Sequence, residues 1–131
     1  MWWTSKQDEL IEITDDGIDK IVYNKQSIID SIHKLKKISS LDRLFYAMKA
    51  NYNPSILNLI YENGIGFECV SPGEVKHLIK SIPGIDLNRI IFTPNFAPKS
   101  DYIFAIENNL NLTVDNIFPL EEWPELFIDR D

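Results

Sequence analysis

Lys49 follows the apolar run Leu44-Phe45-Tyr46-Ala47-Met48. Such a run reads as a buried strand, and strand side chains alternate, so Phe45, Ala47 and Lys49 share one face. An amine at the end of an apolar row is desolvated, which favours its neutral form. A neutral lysine is the nucleophile that condenses with an aldehyde. A lysine snorkelling out of a strand end occupies the same position with no chemistry at all. Two carboxylates come next along the chain. Glu68 lies in the run Gly66 to Val70, which reads as a second strand, and Glu74 sits just inside the following helix. Ser71-Pro72-Gly73-Glu74 is also a capping box with proline at the first helical position. Ser71 is read mainly as a cap, while capping takes about half of the weight for Glu74.

The remaining reactive types carry less. Cys69 alternates with Glu68 and faces away from that side of the sheet, as a small buried hydrophobe. His33 and His77 have no partner at metal-ligand spacing, which leaves surface or packing roles. Asp115 either faces the mouth of the sheet or makes a turn. Asn95 and Lys99 flank a proline-bounded loop, where loop capping and site lining both remain open.

Positioning these groups calls for repeated strand–helix units. Asn53-Pro54 caps a helix whose apolar face is Ile56, Leu57, Ile60 and Tyr61, and Gly64 stops it. Ser71 opens a helix carrying Val75, Leu78, Ile79 and Ile82, ended by Pro83-Gly84. Arg89 to Thr93 is a third strand, Ser100 to Asn108 a third helix, and Leu110 to Val114 a fourth strand. A fourth helix starts near Phe118 and is interrupted at Pro124, and Leu126-Phe127-Ile128 is a candidate fifth strand. The strands recur about every 22 residues, which implies a parallel sheet or a closed barrel. Residues 1–40 differ from 41–131. They form a lead-in, with a strand candidate at Ile21-Val22-Tyr23 and a helix over Lys25 to Lys37.

Composition excludes several classes. The 131 residues carry 13 basic and 20 acidic side chains, a net charge of −7. That balance opposes a phosphate-backbone partner. A single cysteine forbids an internal disulfide and fits a reducing compartment. Neither a signal peptide nor a membrane span is visible, so a cytoplasmic protein is expected. A (β/α) barrel takes about 250 residues, so the chain is expected to be a piece of something larger or a truncated gene product.

Phe45-Tyr46-Ala47-Met48-Lys49-Ala50-Asn51 resembles the cofactor-lysine motif of the pyridoxal-phosphate decarboxylases related in fold to alanine racemase. Gly64-Ile65-Gly66-Phe67-Glu68-Cys69-Val70-Ser71 with Gly73-Glu74 resembles their second-strand motif. Ile91-Phe92-Thr93-Pro94-Asn95 resembles the third-strand motif, and Val114-Asp115-Asn116 the fourth. Within the group, Ala50-Asn51 and Ser71 to Glu74 are most similar to diaminopimelate decarboxylase. Trp2-Trp3 and Phe92 to Pro98 look like the form fused behind an aspartate kinase.

The resemblance implies the N-terminal four to five units of an alanine-racemase-like (β/α)8 barrel. Lys49 would hold pyridoxal 5'-phosphate covalently. Glu68, at a position usually occupied by aspartate, would stabilise the displaced lysine ammonium together with Glu74. The reaction implied is decarboxylation of meso-diaminopimelate to lysine and carbon dioxide by a homodimer. The family's glycine-rich phosphate loop and C-terminal β-domain have no counterpart in this chain, whose five glycines are scattered at 17, 64, 66, 73 and 84. The chain alone is therefore expected to be inactive. Ornithine decarboxylase or another group member is one alternative reading. A non-catalytic, self-associating cofactor-binding remnant is the other.

Overall fold

Asn53, Ser71 and Gly64 punctuate the chain where their chemistry requires. In the computed structural model, which describes residues 1–128, Asn53 Oδ1 accepts the Ser55 N–H at 2.9 Å and starts α3 (Pro54–Glu62). Gly64 follows that helix at φ 77, in the left-handed region that only glycine enters without cost. Ser71 Oγ accepts the Glu74 N–H at 3.3 Å and starts α4 (Pro72–Ser81). Losing this cap costs about 1 kcal/mol. Ser71→Ala should therefore lower the melting temperature measurably, whereas Ser71→Asp should hold it.

These helices alternate with strands β1 (Phe45–Ala47), β2 (Gly66–Cys69), β3 (Ile90–Phe92) and β4 (Asn111–Leu112). The four form one parallel sheet in the order β1-β2-β3-β4. Sequential parallel order with a helix after each strand is the arrangement of a section of a (β/α) barrel. The register places Ala47 opposite Glu68, Glu68 opposite Ile91, and Ile91 opposite Asn111. Those four residues make one row across one face of the sheet. The opposite face carries Phe67, Cys69, Ile90 and Phe92, all fully buried. Together with Leu57 and Ile60 of α3, Val75 and Leu78 of α4, and Tyr102 and Ala105 of α5 (Lys99–Glu107), they make up the core. The first face is only half covered at Phe45, Ala47, Glu68 and Ile91.

The chain divides into two units, Met1–Ser39 and Ser40–Asp131. The first holds α1 (Gln7–Thr14) and α2 (Lys25–Lys36). α1 escaped the sequence reading because none of its residues is buried and its apolar pattern has no core to report. The strand expected at Ile21-Val22-Tyr23 does not form. A strand needs a neighbour for its N–H and C=O groups, and this segment is unpaired, with Ile21 82% exposed. The strand expected at Leu126 to Ile128 does not form either. α6 (Phe118–Glu122) is followed by a single 3-10 turn, Pro124–Leu126, because Pro124 breaks the helix and the chain turns at once onto Tyr102. Phe127 meets that ring edge-on at 6.3 Å.

Candidate active site

Strand β1 is shorter than its apolar run. It ends at Ala47, and Met48–Ala50 form one turn of 3-10 helix. Met48 turns inward and is 1% exposed, its sulfur 3.8 Å from Cys69 Sγ. Lys49 points to solvent. The expected desolvated lysine on a strand face is therefore corrected. Lys49 stands just beyond the C-terminal end of β1, and its amine is accessible rather than buried.

The turn that carries Lys49 is braced on its C-terminal side. Tyr46 Oη donates to Asn51 O at 3.3 Å, and Asn51 Oδ1 accepts the Asn53 N–H at 2.9 Å. His77 Nε2 lies 2.8 Å from Tyr52 O. A carbonyl only accepts, so the imidazole proton is on Nε2. The two rings also meet edge-on at 5.8 Å. His77 thus ties α4 to the segment after Lys49. No spacing rule links residues 52 and 77, so this contact had no signal in the sequence.

Glu68 is half-buried on the half-covered face, one residue before the end of β2. Its Oε1 accepts the hydroxyl of Thr93, the first residue past β3. Glu74 is engaged locally. Its Oε2 accepts the Val70 N–H at 2.7 Å, one residue earlier than the usual capping-box partner. Its Oε1 makes no hydrogen bond among the described residues.

Cys69 is fully buried on the helix side, as the alternation required. Burial, and then the nearby Glu74 and Glu68 carboxylates, push its thiol from the ordinary 9.0 up to about 12. The folded chain holds the thiol protonated where an unfolded thiol ionises. The stability this contributes is fully present below pH 9.0 and lost as pH rises from there toward about 12. Iodoacetamide at pH 8 should leave Cys69 unmodified in the native chain and alkylate it fully in urea, read by mass.

Lys99 and Asn95 separate. Lys99 Nζ pairs with Glu125 at 2.5 Å, holding that carboxyl below its usual range, and lies 6.0 Å from the Trp123 ring centre. Asn95 is exposed in the loop after β3, beside Phe96, which has φ 49 and is 92% exposed. Asp115 is exposed and accepts from Asn116 Nδ2 at 2.7 Å. His33 is exposed on α2. Among the described residues no cluster of three His, Cys, Asp or Glu could hold a metal, and no helix is long and apolar enough to cross a membrane.

The ends of β1, β2 and β3 thus present an accessible amine, a carboxylate and its hydroxyl donor. Comparison with known proteins finds relatives in both sequence and structure. A diaminopimelate decarboxylase of Methanothermobacter thermautotrophicus is 28% identical over 113 residues, covering 82% of this chain and 26% of that protein. The chloroplastic ornithine decarboxylase of Nicotiana glutinosa is 39% identical over 71 residues, 54% of this chain and 16% of that one. The structure of Helicobacter pylori diaminopimelate decarboxylase complexed with L-lysine superposes with a TM-score of 0.70 at 28% identity, covering 88% of this chain and 29% of that one. The chain therefore spans about a quarter or less of the length of these curated relatives. The family model for the pyridoxal-binding domain of pyridoxal-dependent decarboxylases matches residues 25–126, and the chain belongs to that family.

Proposed function

We propose that this chain is the N-terminal part of the barrel of a diaminopimelate decarboxylase and that Lys49 carries its pyridoxal phosphate. The observation that carries the proposal is Lys49 itself, an accessible amine on the turn closing β1, at the end of the sheet where barrel enzymes place their chemistry. The residues present fit the aldehyde end of the cofactor. Lys49 offers the amine, and Glu68 stands on the adjacent strand. A glycine-rich cradle for the phosphate is not among the described residues, since the scattered glycines build none.

The cofactor's ring, when bound, draws off the electrons left as carbon dioxide departs. Lys49 would hold it through its side-chain amine. Glu68, on the adjacent strand, would stabilise the ammonium form of Lys49. Glu74 keeps one oxygen on Val70 N–H and lends its negative charge to the same end of the sheet. In this reading a second subunit and downstream segments complete the site in the cytoplasm, and the chain alone does not turn over.

The test is direct. Incubation with pyridoxal phosphate, borohydride reduction and peptide mass mapping should put a single pyridoxyl increment on Lys49. Label spread over the exposed lysines would sink the proposal. The match to the Nicotiana ornithine decarboxylase supports ornithine as the second substrate reading. Carbon dioxide release by the full-length enzyme, assayed with meso-diaminopimelate and with ornithine, decides between them.

A further inference from the structure

Glu68 and Thr93 stand on neighbouring parallel strands. Glu68 is in register with Ile91, and Thr93 follows two residues later, so both side chains leave the sheet on the same face. The Thr93 N–H donates to Cys69 O at 2.9 Å. That bond extends the ladder one step past the last paired residue and fixes the Thr93 backbone beside the end of β2. From there the Thr93 hydroxyl donates to Glu68 Oε1. Glu68 Oε2 makes no hydrogen bond among the described residues. A shorter acid at position 68 would end about 1.5 Å, one C–C bond, nearer its own strand. Its carboxylate would fall short of Thr93, which lies further toward the C-terminal ends of the strands.

The geometry points to Thr93 as a positioning residue that ties one oxygen of Glu68 to β3 and leaves the other free over the half-covered face. This rests on the reading of Lys49 given above. When an incoming amine displaces Lys49, the new nitrogen bonds to the cofactor carbon and the Lys49 nitrogen leaves it. The three N–H protons of the incoming ammonium pass to the Lys49 nitrogen, which is released as an ammonium. A carboxylate held in place stabilises that ammonium. A carboxylate free to rotate into water does so less, because ordering it then costs rotamer freedom at the moment of displacement.

Four variants test this: Thr93→Val, Thr93→Ser, Glu68→Gln and the double Thr93→Val/Glu68→Gln. Melts of the cofactor-free chains read the contact itself. The double variant should lose less stability than the two single losses added together. Function is read on chains loaded with pyridoxal phosphate and then mixed with L-alanine. Borohydride quenching over time follows the loss of reducible label from Lys49. Thr93→Val should slow that loss about fivefold, the usual scale of one hydrogen bond. Thr93→Ser should restore the parental rate, and Thr93→Val should add nothing once Glu68 is glutamine. Additive melts, or parental displacement by Thr93→Val on a Lys49-labelled chain, would overturn the role of Thr93 alone. Label scattered over other lysines would overturn the Lys49 assignment and this inference with it.

Discussion

Lys49→Ala is expected to abolish the pyridoxyl increment completely while leaving the melting temperature almost unchanged. Lys49 makes no hydrogen bond, ion pair or ring contact among the described residues, and its side chain is exposed. Surface replacements of that kind usually change stability by less than about 0.5 kcal/mol. The turn beneath it is held instead by Met48, which is buried, and by the bonds of Tyr46 and His77 to the next carbonyls, none of which uses the amine. Lys49→Arg should behave the same way, keeping the charge and fold but not the condensation, since a guanidinium stays protonated. Mass mapping and a melt on the same preparation check both halves. A variant that still takes the label, or that unfolds, would show that Lys49 does something other than stand ready at the end of β1.

Gly66→Ala is expected to be the most damaging single change in stability. A Cβ built on Gly66 would come within 2.6 Å of Arg89 O, 2.8 Å of Phe45 Cδ1 and 2.9 Å of Phe45 Cε1. The ring could swing aside, but it also carries the Arg43 guanidinium 5.0 Å from its centre. The carbonyl cannot move without dragging the start of β3. Arg89 is pinned there by its own side chain, whose Nη2 donates to Ile65 O at 2.8 Å and Tyr61 O at 3.0 Å. Forcing one methyl into such a space costs about 2–3 kcal/mol. At about 4–8 °C per kcal/mol for a domain of this size, the melting temperature should fall by about 10 °C or more. A melting curve superimposable on the parent's would mean that β1, β2 and β3 do not approach one another as described.

The two replacements separate what each level of structure controls. Gly66 was visible in the sequence as part of a strand, but the reason it must be glycine lies in two neighbouring strands distant along the chain. Lys49 was singled out from its neighbours in sequence. Its exposure fits the snorkelling reading and not the desolvated one, because alternation along an apolar run assumes the strand continues to the lysine. The chain instead breaks into a 3-10 turn after Ala47.

Local chemistry was legible where it acts over a few residues. Asn53, Ser71 and Gly64 bound their helices as their side chains and φ preferences dictate, and the fourfold strand–helix repeat implied a parallel sheet. Strand candidates failed at Ile21 to Tyr23 and at Leu126 to Ile128. A strand is completed only by a partner, and an apolar run carries no information about whether one is present. The same limit hid Thr93 and His77. Each acts through one hydrogen bond to a residue about 25 positions away, a separation set by the length of a strand–helix unit and by no side-chain pattern. By itself the sequence determined the helix starts at Asn53 and Ser71 and the stop at Gly64, because caps and φ preferences act over a few residues. The tertiary structure alone decided which residues meet, because register between parallel strands is settled by packing against the helices and not by the residues that the register brings together.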